Sequence, residues 1–365
     1  MASNIFKRFH SIQILLFIVI FIFMFEFEQK VFFHVEQSRN ITRRKGSEIN
    51  LLSHKMFEVK PKPGLMQLIN PTEPKYALTL NGSYLLEKKD ICSSVKHLKM
   101  LILILSAATN FQKRDIIRET WGNTSSYSQY GIVKLLFLLG KSVDTDIQRN
   151  IREEFKRHAD ILQGQVIDSY QNLSHKTVLG LKWLNERCRN SEFILKTDDD
   201  IVVNMFLVFQ NVLLDIAVDK YHVHCNHLKT SRILRSKTYK TAVEPHQFRG
   251  VKYHMPYCQG NYVLLLNDIV PSLYRAASIT PFFWIDDVFS YGIIMSNIPS
   301  LKYKRIKSDE HISYSKLTRL PCWKRILPAC CHIFINSGND YETRDVWSKI
   351  MKQYQDFSNK TLNYC

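Results

Sequence analysis

The hydrophobic pattern begins with twelve consecutive apolar residues at 14–25, extended to about 16 positions by Ile12 and Phe27. Lys7, Arg8 and His10 precede this run, and Glu26 and Glu28 follow it. Basic residues before an apolar run, with acids after it, keep the N-terminus cytosolic. The run is short of the roughly 20 residues of an ordinary span, so a cleaved signal peptide competes with a signal anchor. No small-residue cleavage site follows, since the chain continues Glu26-Phe27-Glu28-Gln29-Lys30. A short, Phe-rich span also suits the thinner bilayer of the early secretory pathway. The preferred organisation is a cytoplasmic tail at 1–11, a transmembrane signal anchor at 12–27, a polar, proline-containing stem at 28–75 and a lumenal domain at 76–365.

Within that domain short apolar runs alternate with helical patterns. Residues 98–105 (LKMLILIL), 132–139 (IVKLLFLL), 165–167 and 193–196 read as strands, and 114–121, 144–158 and 175–187 as helices. This alternation predicts an α/β fold with a mostly parallel central sheet flanked by helices. Ligands in such sheets bind at the carboxyl ends of the strands. The strand at 193–196 leads directly into Asp198-Asp199-Asp200, so the acidic triplet falls where a site is expected.

Composition narrows the chemistry. Glycine is scarce, 12 of 365 residues, and the sequence contains no G-x-G-x-x-G, no G-x-x-x-x-G-K-[ST] and no G-x-S-x-G. Any phosphate must therefore be held by side chains or a metal. The net charge of +17 admits nucleic acid, an anionic membrane or a small anionic substrate. A lumenal location removes nucleic acid from the expected partners. The eight cysteines include no C-x-x-C pair and suit an oxidising compartment. Cys92 with Cys188 is the preferred disulfide, because both lie beside the first predicted sheet elements. Sequons at Asn40, Asn81, Asn123, Asn172 and Asn359 are candidate glycosylation sites.

Three adjacent carboxylates repel one another unless a cation neutralises them. On an extended backbone Asp198 and Asp200 share a face while Asp199 points oppositely, so the pair can grip one divalent ion that in turn grips a diphosphate. A solvated acidic turn is the plainer alternative. Residues 282–288 (FFWIDDV) set Asp286 and Asp287 against apolar neighbours. Such a carboxylate has a raised pKa and can act as a base; a helix N-terminus with acids on its dipole is the alternative. Arg114 and Arg118 lie four apart on one helix face, open to an anion or to salt bridges with Asp115 or Glu119. Residues 220–252 carry eight Lys or Arg against Glu244 alone, as a loop closing over a diphosphate or a solvated loop would.

In order, the chain contains R-D-I-I-R-E-T-W-G at 114–122, F-L-L-G at 137–140, K-T-D-D-D at 196–200, R-S-K-x-Y at 235–239, P-Y-C-x-G at 256–260 and D-D-V at 286–288. This series resembles glycosyltransferase family 31, the β-1,3-galactosyl- and N-acetylhexosaminyltransferases. The resemblance implies a GT-A fold, a UDP-sugar donor, Mn²⁺, a glycan acceptor on glycoprotein or glycolipid, inversion at the anomeric carbon and type II Golgi membrane topology. It implies that Asp198, Asp199 and Asp200 form the D-x-D element, with Asp198 and Asp200 on the metal and Asp198, Asp199, Arg114 and Arg118 toward the donor. Asp287 would be the base that deprotonates the acceptor hydroxyl, and His332 would complete the metal shell; a packed histidine beside Cys330 and Cys331 is the alternative for His332. The segment Cys258-Gln259-Gly260-Asn261-Tyr262 is one residue shorter than the family's C-S-G-x-G-Y and lacks its second glycine. A non-catalytic lumenal chaperone or lectin-like relative is the competing function, and a metal-dependent nuclease a third.

Overall fold

The structure is a computed structural model that describes residues 57–62, 64, 68–69, 82–213, 216, 222–306, 311–320 and 332–358. The tail, the anchor at 12–27, most of the stem, Asn40, Asn81, Asn359 and Cys322, Cys330, Cys331 and Cys365 lie outside the described residues. Among the described residues, no helix is long and apolar enough to cross a membrane.

The strands are β1 (Tyr84–Leu86), β2 (Leu98–Leu105), β3 (Val133–Lys141), β4 (Ile161–Ile167), β5 (Ser191–Asp198), β6 (Ile201–Val203), β7 (Val223–Leu228), β8 (Ser231–Arg232), β9 (Tyr253–His254), β10 (Tyr257–Leu266), β11 (Tyr303–Arg305), β12 (His311–Ser313) and β13 (Phe334–Asn336). The longer helices are α1 (Phe111–Glu119), α2 (Thr145–His158), α3 (Leu173–Arg187), α4 (Val270–Ile279) and α5 (Asp340–Ser358). Eight strands form a mixed sheet in the order β1-β4-β3-β2-β5-β10-β7-β11. Its centre, β4-β3-β2-β5, is parallel, while β10 runs antiparallel to both β5 and β7.

The apolar run from Met100 to Leu105 in β2 follows from burial on both faces. Leu101, Leu103 and Leu105 join one core with α3 and α4, while Met100, Ile102 and Ile104 join the other with Ile117 of α1, Ile151 of α2 and Val346 of α5. Each such side chain contributes about 1.5–3 kcal/mol on burial. Strand β4 is longer than the expected 165–167 because it buries a polar residue that breaks the apolar pattern. Gln163 is satisfied there, donating to the Gly140 carbonyl at 2.8 Å and accepting from Gln148 at 2.8 Å.

Cys92 and Cys188 are joined, as the sequence suggested, and a second disulfide links Cys225 of β7 to Cys258 of β10. Part of the segment read as stem packs on the fold: the Lys60 amide donates to the Asn297 carbonyl at 2.7 Å, and Arg275 donates to the Phe57 carbonyl at 2.6 Å.

Candidate functional site

Strand β5 ends on Asp198 beside Leu105, the last residue of β2. The chain then turns through Asp199 and Asp200 into β6. Asp199 is drawn toward the loop after β2: Ser106 Oγ donates to it at 2.7 Å, Asn110 Nδ2 at 2.8 Å and Lys113 Nζ at 3.4 Å. Asp198 instead accepts from Lys196 Nζ at 2.8 Å. Burial raises the Asp200 pKa, and the charges of Asp198 and Asp199 raise it further against the opposing Lys113.

The second acidic pair opens the helical segment Asp286–Ser296, whose Phe289–Ile293 turn is a π-helix. Both carboxylates occupy a helical first turn, as the alternative reading of this segment has it. Asp286 is buried and committed to Thr177 Oγ1 at 2.9 Å and Ser290 Oγ at 2.6 Å. Asp287 is half-buried. Burial pushes its pKa up to about 7, with Asp286 adding to the shift while Lys196 and the Gly260 amide restrain it.

Gly260 is the closest approach in the site. A Cβ there would lie 2.2 Å from Asp287 Oδ1 and 3.4 Å from Lys196 Nζ, so a side chain cannot be added without displacing the carboxylate. The Gly260 carbonyl accepts from Lys196 Nζ. Burial opposes the charge on Lys196, but Asp198, Asp286 and Asp287 outweigh it and raise its pKa. One ammonium thus ties the end of β5 to β10 and neutralises three carboxylates only in part.

The remaining strand ends are held by complete networks. Asp168 accepts from the Gly140 amide at 2.8 Å, the Ala108 amide at 3.1 Å and Lys176 Nζ at 3.2 Å, and Lys176 also donates to the Ser106 carbonyl at 2.8 Å. Gly140 allows this because a Cβ there would lie 2.8 Å from the Asp168 backbone.

Arg114 and Arg118 take a different part from the donor contact implied by the resemblance. Arg114 is fully buried and grips Glu154 through two bonds of 2.8 and 2.6 Å, while also donating to the Ala107 carbonyl at 2.7 Å. Arg118 donates twice to Asp160 at 2.8 Å, to Glu154 at 2.7 Å and to Asp115 at 2.8 Å. Their guanidinium groups are committed to carboxylates, and Arg114 shapes the loop that anchors Asp199.

His332 also departs from its expected place. Strand β13 pairs antiparallel with β6, so Asn336 and Ser337, not His332, lie beside Asp200: Ile201 faces Asn336, and the Ser337 amide donates to the Asp200 carbonyl at 2.9 Å. His332 precedes Ile333, whose carbonyl is bonded by the Asn204 amide. At about 3.3 Å per residue, the five residues from Ser337 to His332 place His332 on the order of 16 Å along the strand from Asp200. Of the candidate glycosylation residues, Asn123 is exposed and accepts from Ser125 Oγ at 2.6 Å. Asn172 is half-buried and donates to the Ile167 carbonyl at 2.8 Å.

Sequence reasoning gave no role to Lys196, Gly260, Asp168 or Lys176. The first two stood inside quoted motifs, where a lysine two residues before the triplet and a glycine after Cys258 were the available signals. Lys176, on an otherwise apolar helix face, was a weaker one.

A family model described as Galactosyltransferase matches residues 112–305. Human beta-1,3-galactosyltransferase 9 is 28% identical over 306 residues, covering 81% of this chain and 76% of that protein. Zebrafish lactosylceramide 1,3-N-acetyl-beta-D-glucosaminyltransferase A is 29% identical over 224 residues, covering 56% of each, so the chain spans little more than half of that relative. Among solved structures, a glycosyltransferase involved in glycosylation of the PBCV-1 major capsid aligns at a TM-score of 0.36 and 10% identity, covering 69% of this chain and 99% of that one.

Proposed function

The chain belongs to the galactosyltransferase family, and from that premise we propose that it is an inverting, metal-dependent transferase with a GT-A fold. It moves a hexosyl unit, galactose first among the candidates, from a UDP-sugar to an acceptor glycan hydroxyl in a β-1,3 linkage. The observation that carries this reading is Asp287, a half-buried carboxylate with its pKa pushed up to about 7, tied through Gly260 and Lys196 to Asp198 of the acidic triplet.

The donor set fits a divalent cation. Asp198 and Asp200 offer hard oxygen ligands of the kind Mn²⁺ takes, and the crowding that raises the Asp200 pKa would be relieved by one. Among the described residues, no three His, Cys, Asp or Glu side chains gather round one point. An ion on Asp198 and Asp200 would be completed by substrate phosphates and water. When bound, the ion offsets the negative charge that develops on the leaving diphosphate.

The protein's own residues divide the remaining work. Ser106 and Asn110 fix Asp199, so the turn carrying Asp198 and Asp200 is braced against β2. Lys196 donates to the Asp198 carboxylate at 2.8 Å and moderates the charge near Asp287. Asp287 accepts the proton of the acceptor hydroxyl as its oxygen attacks the anomeric carbon from the face opposite UDP. No carboxylate nucleophile is required. The surrounding assignment is a type II Golgi protein with this domain in the lumen.

The test is transfer by the detergent-solubilised full chain, with Mn²⁺ and UDP-Gal, UDP-GlcNAc or UDP-GalNAc over an acceptor panel. Transfer from one donor, suppressed by chelation, supports the reading. Neither transfer nor donor hydrolysis from any of the three would overturn it.

A further inference from the structure

The base has an aromatic surface beside it that the donor chemistry leaves unused. Tyr170, in the short turn Tyr170–Asn172 after β4, is 40% exposed. Its ring meets Trp284 edge-on, with centroids 6.2 Å apart, and half-buried Trp284 stands three residues before Asp287. Phe282, two residues before Trp284, stacks on His175 of α3 at 4.5 Å. Burial raises the pKa of the Tyr170 hydroxyl, and the neighbouring charge of Asp287 raises it further, ahead of Asp286 and Asp198. Trp284, three residues ahead of Asp287 and in ring contact with Tyr170, sets the shelf beside the base.

Among the described residues, one cation crosses this shelf. Lys240 Nζ stands 3.7 Å from the centroid of the Tyr170 ring. Lys240 is exposed, and no carboxylate pairs with it among the described residues. Arg235, in the same basic segment, is different: it donates to the carbonyls of Glu244, Gln247 and Phe248 at 2.6–3.0 Å and so folds the segment on itself. Lys240 keeps its donors while its position over the ring is held by the cation–π contact.

We propose that Trp284 is the platform on which the acceptor sugar ring lies, and that Tyr170, edge-on to it, seats Lys240 so that the ammonium selects acceptors bearing a carboxylate or sulfate on or next to that ring. The proposal rests on the assignment of Asp287 as acceptor base. An apolar sugar face matches an aromatic shelf, and the polar tips of Tyr and Trp suit a wet, amphipathic ligand. An ammonium beside the shelf adds a charge-assisted bond only to an anionic sugar. The donor diphosphate is the other anion in the reaction, but the shelf is nearest the base.

The test is ligand-observed saturation-transfer NMR on the full chain with UDP and Mn²⁺. The probes are methyl β-D-galactoside, methyl β-D-glucuronide and galactose 6-sulfate. At least one anionic probe should bind about tenfold tighter than the neutral one, the size of one charged hydrogen bond. Lys240→Gln should erase that difference and leave the neutral probe unchanged, Tyr170→Ala should reduce it, and Trp284→Ala should weaken all three. The two anionic arms separate carboxylate from sulfate recognition. Equal binding of neutral and anionic probes, or loss of UDP affinity in Lys240→Gln, overturns the proposal. Calorimetry of UDP with Mn²⁺ stands apart as the control: failure to bind UDP breaks the transferase reading, whatever the sugar probes do.

Discussion

Around α1, each guanidinium group meets its carboxylates: Arg114 and Arg118 share Glu154, and Asp160 and Asp115 close the cluster at 2.6–2.8 Å. Around Lys196, one ammonium faces Asp198, Asp286 and Asp287. Both clusters carry sequence motifs of the same family. The first sets two guanidinium groups against Glu154 and Asp160, with the exposed Asp115 at its rim, and this near-balanced, largely buried cluster makes a scaffold. The second keeps an excess of negative charge beside open surface, which leaves room for a cation and for a proton. Charge balance, more than the presence of charged residues, separates the residues that hold the fold from those that act.

This contrast can be broken by substitution. Asp287→Asn should lower turnover about 10²–10⁴-fold, the usual contribution of a general base, with little change in the KM for the UDP-sugar. The same variant should gain stability at pH 8. The folded pKa of about 7 lies above the ordinary 3.8, so the folded protein retains a proton that the unfolded chain releases. Stability from this group is therefore full below about pH 4 and declines as pH rises toward 7. An asparagine removes that penalty, and thermal melts at pH 5 and pH 8 check it. An unchanged melting temperature at pH 8 would place Asp287 in a less confined setting.

Gly260→Ala should cost turnover next most, about 10²-fold, because its methyl group would push Asp287 from its place; a melting curve separates this from unfolding. Lys196→Met should move the acid limb of the pH–rate profile, near 7 in the unmodified protein, to higher pH. The sign follows from Lys196 being a cation that lowers the Asp287 pKa. A limb that stays in place would remove Lys196 from the base's environment. Arg114→Met should have the smallest effect on chemistry and a large one on the fold. Leaving Glu154 without its main partner costs about 3–5 kcal/mol, while donor KM measured below the melting temperature should hold. A selective rise in that KM would return Arg114 to the donor site.

The alternation of apolar runs and helical patterns made the central sheet legible, because Met100–Leu105 of β2, Leu135–Leu139 of β3 and Phe193–Leu195 of β5 are buried and read as apolar runs. The acidic residues were legible for the opposite reason, as carboxylates set against apolar neighbours. The sequence could not place Arg114 and Arg118, since their partners Glu154 and Asp160 lie about forty residues away on α2 and just before β4. Four residues on one helix face look the same whether they meet a phosphate or a buried acid. His332 failed similarly: being next to a strand says nothing about register, and the β6–β13 pairing decides which residue meets Asp200. Gly260 was visible as a letter in a motif, but its purpose needed the third dimension, where Asp287 Oδ1 occupies the space of a Cβ.

The division of labour between the two acidic groups is tested most directly by calorimetric titration of UDP, with Mn²⁺, into Asp200→Ala and Asp287→Asn. Both variants should lose turnover, but only Asp200→Ala should lose UDP affinity, while Asp287→Asn binds UDP as the unmodified chain does. Equal loss of UDP affinity in the two would contradict the separation of a donor-binding triplet from an acceptor base.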